Sequence, residues 1–324
     1  MVPSIGLMVL GILLLLAGGE ILLRGSVGMA VVLRLTPAVI GLTVVAAGTS
    51  VPELAVSGIA AYQGNSEIAV ANVIGSNIFN VTVILGLCAA IRPFNVTGNT
   101  LRLEYPVLAL ATLLCVAVVQ DGYVGRIDAL LFVCAYVGFT AYLVRLVRHQ
   151  VTNAEKDGLK TEVEGLAPSV GKPSMVWCVT LVIIGVILLG LGAQSTVSGA
   201  SQLARLIGWS ERVIGLTIVS AGTGLPEVVA SLVSSVRGRS DVAIGNVIGS
   251  NLFNILVILG LSGIVSPLSV QSTIAASDCW WMLGTTLALL PVMLNGFKFY
   301  RWEGVLLLGT FVVYVGLLLT GSSN

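Results

Sequence analysis

The chain has 324 residues, of which 56% are hydrophobic and 10% charged, with a formal net charge of +1 and a mean hydropathy of +1.02. Soluble domains carry about 25% charged residues, so this composition excludes a soluble domain and points to a polytopic, all-α membrane protein. Its expected partner is the lipid bilayer, with no nucleic acid and no protein partner.

Taken in chain order, apolar runs bounded by charges and turn residues predict ten transmembrane spans of about 20 residues each. They fall at 3–23, 37–62, 67–90, 103–120, 126–147, 174–200, 211–236, 241–265, 276–296 and 302–320. No small-residue cleavage pattern follows the first run, so it reads as a span and not as a signal peptide. Residues 1–147 hold five spans and residues 174–324 hold five more. The long polar stretch 148–173 separates them as a linker too short to be a domain. Cys88, Cys115, Cys134, Cys178 and Cys279 stand singly, without CxxC spacing, and read as small buried hydrophobes. His149, the one histidine, falls in the basic segment entering the linker and reads as a solvated loop residue.

Lysine and arginine set the orientation. With the N-terminus outside, thirteen basic residues lie in inner loops and three, Arg126, Arg205 and Arg212, in outer ones. The positive-inside rule then places both termini outside a cell membrane and the linker 148–173 in the cytoplasm.

One passage occurs twice. GLTVVAAGTSVPE, starting at Gly41, is followed by ANVIGSNIFN, and the pair returns as GLTIVSAGTGLPE, starting at Gly215, and GNVIGSNLFN. Residues 39–93 and 213–267 align without a gap at an offset of 174, and about half of the positions are identical. An odd number of spans in each half turns the second copy over in the membrane. The expected fold is therefore ten transmembrane helices in two inverted five-helix repeats, the arrangement that secondary transporters use to build a midplane site.

Each copy carries a proline and a glutamate inside its span. Pro52 and Pro226 lack an N–H, which leaves the carbonyls of Gly48 and Gly222 without a helical partner, and each disfavours helical geometry at the residue before it. A broken helix is expected in each half, and free carbonyls at membrane depth are tolerated only around a protected polar cavity. Beside each break stands a carboxylate, Glu53 or Glu227. An ionised group at the bilayer centre costs at least about 2.5–3.5 kcal/mol, so such a residue marks a functional site. Two carboxylates meeting across a pseudo-twofold axis repel unless a cation lies between them.

On the following helices Asn72, Ser76 and Asn80, and in the second copy Asn246, Ser250 and Asn254, share one face by their spacing of four. Carboxylate, amide, hydroxyl and carbonyl oxygens suit Ca2+ or Na+, whereas softer metals call for sulfur or imidazole. Competing readings exist. Asn and Ser also bond helices to one another in membranes, and Gly75 and Gly249 could serve close packing. Asn77 and Asn251 lie off the shared face and read as structural contacts. Glu20 and Arg24 form an i,i+4 pair that snorkels at the inner interface. An intramembrane hydrolase would need a base beside Ser50 or Ser76, and no membrane histidine supplies one. A passive channel does not call for inverted repeats.

The motifs G-T-S-V-P-E (48–53) and G-T-G-L-P-E (222–227), each followed by G-S-N-x-x-N, resemble the two alpha repeats of the sodium/calcium exchangers of prokaryotic type, in the calcium/cation antiporter superfamily. The resemblance covers nearly the whole chain. It implies a secondary antiporter, not an enzyme, in which sodium entry drives calcium extrusion by alternating access. Ca2+ and Na+ are its transported ions, and no organic cofactor is implied. It implies further that Glu53 and Glu227 are the shared carboxylates, with Thr49, Ser50 and the Ala46 carbonyl as ligands beside Glu53. Thr223 and the Ser220 carbonyl would be their counterparts beside Glu227, and Ser76, Asn80, Ser250 and Asn254 would complete the cluster. The alternative on the same scaffold is a Ca2+/H+ antiporter; the hydroxyl-rich G-T-S motif favours sodium. Two departures stand out. Gly224 occupies the place of Ser50, and both Asn80 and Asn254 are amides where some potassium-dependent relatives carry Asp.

Overall fold

The computed structural model describes residues 2–33, 35–96, 98–150, 174–208 and 220–321. Most of the expected linker and the first part of the seventh span, 211–219, lie outside the described residues.

Helices account for almost all of it. The first half comprises α1 (Val2–Leu33), α2 (Pro37–Thr49), α3 (Val51–Tyr62), α4 (Ser66–Ile91), α5 (Thr100–Val119) and α6 (Arg126–Gln150). The second comprises α7 (Met175–Leu206), α8 (Ser220–Thr223), α9 (Leu225–Val236), α10 (Ser240–Val265), α11 (Ile274–Leu294) and α12 (Arg301–Gly321). Eight described helices are long and apolar enough to cross a membrane, and the bent pair α2–α3 makes a ninth span. The remaining expected span, 211–236, is described from Ser220 onward, where α9 is shorter but apolar. Helix α6 runs to Gln150, so the backbone at His149 continues a helix instead of entering a loop. Cys88, Cys115, Cys178 and Cys279 are buried as expected; Cys134 is exposed on the outer face of α6.

The internal repeat of the sequence is a repeat of structure. α3 and α9 begin and end 174 residues apart, and so do α4 and α10. Equivalent helices then pack against each other in opposite directions. A Cβ added to Gly11 of α1 would lie 2.3 Å from Thr196 Oγ1, one on Gly18 2.9 Å from the Leu189 nitrogen, and one on Gly25 2.8 Å from the Val182 nitrogen. As α1 advances, its partner α7 recedes. Gly185, Gly192 and Gly199 face this seam from α7 with the same seven-residue spacing. Lipid offers no hydrophobic drive for helix association, so small residues that bring backbones into contact hold such a seam together by close packing. The seam ends with Ser4 Oγ donating to Gln202 Oε1 at 3.2 Å. α5 and α11 repeat the relation: Tyr105 Oη donates to the Leu287 carbonyl and Gln120 Nε2 to the Ala275 carbonyl.

Loop segments also pair across the halves. β1 (Phe94–Asn95) joins β4 (Lys298–Phe299), and β2 (Tyr123–Val124) joins β3 (Leu268–Ser269), both antiparallel. At one end of the bundle Glu20 bridges Arg24 at 3.0 Å and Arg237 at 2.9 Å, and Arg92 donates to the Val236 carbonyl. The expected pair within α1 is thus a three-residue cluster that reaches the second half. As solvent-facing ion pairs these add little stability. At the other end Gln271 donates to Glu67.

Burial singles out the centre. The apolar windows of α4 and α10 are 61% and 83% buried, against 17% for α6 and 22% for α12, whose apolar outer faces suit lipid. The helices bearing the Asn and Ser motifs therefore form the core of the bundle.

Candidate cation site

Both expected breaks are present. α2 and α3 meet at 49°, with Ser50 between them at φ −83° and ψ 10°, and Pro52 stands in the first turn of α3, where a missing N–H costs no helical bond. α8 and α9 meet at Gly224, with φ −80° and ψ −1°, and Pro226 holds the equivalent place. Each break puts a carboxylate, Glu53 or Glu227, in the first turn of a new helix, where the macrodipole favours an anion. Both side chains are 2% exposed.

The hydroxyls reach across the interface. Ser50 Oγ donates to Glu227 Oε1 at 3.0 Å, so this residue of the first half serves the carboxylate of the second, across the interface from Glu53 beside it in sequence. Thr49 Oγ1 lies 3.4 Å from Asn246 Oδ1 and 3.4 Å from the Ala46 carbonyl, which also accepts from the Ser50 nitrogen at 3.0 Å. Thr49 and Ser250 are buried and Ser76 and Thr223 half-buried; Ser220 opens α8.

Four amides tie the centre together. Asn77 Nδ2 and Asn251 Nδ2 each lie 3.4 Å from the other's main-chain carbonyl. Asn80 Nδ2 donates to Asn251 Oδ1 at 3.0 Å, and Asn254 Nδ2 to Asn77 Oδ1 at 3.1 Å. Asn77 and Asn251 are structural contacts as expected, and they do more: by accepting from the amide nitrogens they turn the Oδ1 atoms of Asn80 and Asn254 the other way. Directly after this network both helices widen into a π turn, Asn80–Ile84 and Asn254–Ile258. Such turns mark functional positions in helices.

Oxygen atoms remain over. Among the described residues Glu53 Oε2, Glu227 Oε2, Ser250 Oγ and Asn254 Oδ1 are buried without a hydrogen-bond partner. Leaving such groups unpaired costs about 1–3 kcal/mol apiece, more for a charged one. The surplus is of acceptors, from two carboxylates, a hydroxyl and an amide. Hard cations complete a donor set of this kind.

Other residues escaped the sequence reading. Ser57 and Ser231, 174 apart and fully buried, accept from Asn72 Nδ2 and Asn246 Nδ2 at 2.9 Å each and so fix those amides. Asn72 also lies 3.3 Å from the Glu53 carbonyl. Their matched place in the repeat was the available signal. Glu104 is a further buried carboxylate, at the start of α5, and its counterpart at the same offset is Asp278. Of the two glycines considered for packing, Gly249 is pressed onto α2, where an added Cβ would lie 2.1 Å from the Leu42 carbonyl. Gly75 meets nothing within 4 Å among the described residues.

Residues 3–145 and 177–320 match the family model described as sodium/calcium exchanger protein. The chain is 38% identical over 312 residues to a putative antiporter, CaxA, of Alkalimonas amylolytica, covering 95% of this chain and 96% of that one. It is 31% identical over 320 residues to the inner membrane protein YrbG of Escherichia coli, covering 98% and 97%. A solved structure of the sodium-calcium exchanger NCX_Mj, soaked with Na+ and Ca2+, superposes with a TM-score of 0.82 at 29% identity over 98% of each chain. Coverage on this scale, over an apolar helical bundle with a buried acceptor cluster, assigns the protein plainly. It belongs to the sodium/calcium exchanger family and is a membrane-embedded cation antiporter, not an enzyme.

Proposed function

We propose that the protein moves calcium out of the cell in exchange for entering sodium, by alternating access through one midplane site. The observation that carries this reading is that Glu53 and Glu227, equivalent residues of two halves, are both buried, each with an oxygen unpartnered among the described residues, while Ser50 of the first half bonds Glu227 of the second. Their two negative charges match one Ca2+. Thr49, Ser50 and the Ala46 carbonyl from the first half, Thr223 and the Ser220 carbonyl from the second, and Ser76, Asn80, Ser250 and Asn254 from α4 and α10 are the further ligands. Sodium replaces calcium at the same carboxylates, so the two ions compete and do not travel together.

The antiparallel packing of α1 on α7 and of α5 on α11 supports an inverted repeat, in which one half faces outward as its counterpart faces inward. Glu20, Arg24, Arg92 and Arg237 gather at one end of the bundle, which supports a common cytoplasmic face for that end, with the linker on it and both termini opposite.

The test is calcium uptake into proteoliposomes under separately imposed sodium and proton gradients. Uptake is expected to follow sodium. Uptake that follows an imposed pH gradient and ignores sodium replaces this reading with a calcium/proton antiporter. Labelling of a cysteine placed at Lys160 from the cytoplasmic side alone checks the orientation.

A further inference from the structure

We infer that this chain exchanges two sodium ions for each calcium ion and moves no net charge, because Gly224 withholds one hydroxyl ligand from its pseudo-symmetric site and the site holds only two charges. The inference rests on the sodium/calcium reading above and deepens it.

Ser50 shows what a hydroxyl at this break does. From the end of α2 its Oγ crosses to the carboxylate of the other half, Glu227, at 3.0 Å. The same operation, 174 residues on, reaches position 224, which is glycine and has no side chain to offer Glu53. A side chain added here would also meet a neighbour. A Cβ at Gly224 would lie 3.0 Å from Phe79 Cε1 and 3.3 Å from Phe79 Cδ1. The Phe79 ring in turn packs edge-to-face on Phe311, with centroids 5.6 Å apart and planes at 76°. Phe79 has a counterpart in Phe253, which packs edge-to-face on Tyr136, so the difference between the halves at this break is the hydroxyl that Gly224 lacks.

Charge points the same way. The site holds two carboxylates, and Asn80 and Asn254 are neutral amides that donate to Asn251 and Asn77 and add no charge. One Ca2+ or two Na+ leaves this centre neutral. A third Na+ would leave an unbalanced positive charge at membrane depth, where an uncompensated ion is costly. The mechanism then shuttles between two neutral loaded forms.

The purified full-length protein in proteoliposomes tests this, by the calcium ratio reached at a fixed sodium gradient with the membrane potential clamped by potassium and valinomycin. With a sodium gradient of about tenfold, a two-for-one exchanger settles at a calcium ratio of about a hundredfold, and the potential does not move it. A ratio near a thousandfold at zero potential, shifting by roughly fiftyfold for about 100 mV, overturns the inference while leaving sodium/calcium exchange intact. A calcium distribution that ignores sodium overturns the underlying reading and this inference together. The double variant Phe79→Leu with Gly224→Ser tests the cause, since the smaller side chain makes room for the added hydroxyl. It is expected to gain voltage dependence. A double variant that exchanges calcium and stays voltage-independent removes Gly224 as the cause, and the wild-type measurement decides the stoichiometry whether or not that variant folds.

Discussion

Asn77 and Asn251 each place an amide nitrogen 3.4 Å from the other's main-chain carbonyl, across 174 residues of chain. Because the two are equivalent positions of the repeat, this reciprocal contact sets them on either side of a local twofold axis. The contact locates the pseudo-symmetry axis of the protein between α4 and α10, at the level of the candidate ligands. Its function is positional, because the oxygens of the same two amides receive Asn254 and Asn80.

Removing one of the pair therefore disturbs the site at a distance. Asn77→Ala is expected to lower stability by about 1–3 kcal/mol, since the Asn254 amide nitrogen loses its acceptor inside the bundle. With Asn254 no longer oriented, a loss of about 1.4 kcal/mol in calcium binding raises half-saturating calcium about tenfold. Thermal unfolding in detergent and calcium-dependent uptake read the two effects separately.

Glu53→Gln and Glu227→Gln each remove one of the two charges proposed to balance calcium. Exchange is expected to fall below detection in both, while the helical circular dichroism and monodisperse elution of the protein persist. Wild-type uptake in either variant would remove that carboxylate from the ligand set.

Ser50→Ala deletes the donor to Glu227 and a proposed oxygen ligand, leaving the carboxylate one contact short. A hydrogen bond to a charged group contributes about 1.5–3 kcal/mol, so half-maximal sodium is expected to rise by about tenfold or more. The fit is decided by sodium titration of calcium efflux, with calcium affinity measured alongside. An unchanged sodium response would leave Ser50 as a structural residue only.

The α1–α7 seam makes a sharper contrast between two glycines of one helix. A Cβ at Gly192 would lie 2.8 Å from the Leu15 nitrogen and 2.9 Å from the Gly11 carbonyl, whereas one at Gly190 meets nothing within 4 Å among the described residues. Gly192→Val is expected to cost about 3 kcal/mol or more through backbone displacement. Gly190→Ala, which relieves a helix of glycine, is expected to be neutral or stabilising by up to about 1 kcal/mol. Melting temperatures of the two variants in the same detergent make the comparison.

The membrane character, the repeat and the two glutamates were legible in the sequence because each violates an expectation that lipid imposes. Glu53 and Glu227 are expensive where they stand, and Pro52 and Pro226 mark broken helices by their own covalent geometry. What could not be read were the pairings between halves. That Ser50 serves Glu227, and that Phe79 lies over Gly224, depends on how α2 and α4 of one half meet α8 and α9 of the other, which no local pattern encodes. Ser57 and Ser231 were hidden for a different reason: a lone serine in an apolar helix resembles packing until its partners, Asn72 and Asn246, are seen. Cys134 shows the converse limit, since facing lipid and facing the core look alike in hydropathy.

The antiparallel match of α1 with α7 also bears on how this carrier divides its time. If the two halves were identical, turning the molecule over would convert an outward-facing conformer into an inward-facing one of equal free energy. Under the proposed alternating-access mechanism, the resting bias therefore comes from the positions where the copies disagree. About half of the repeat is free to set that bias, and the other half holds the machinery common to both faces.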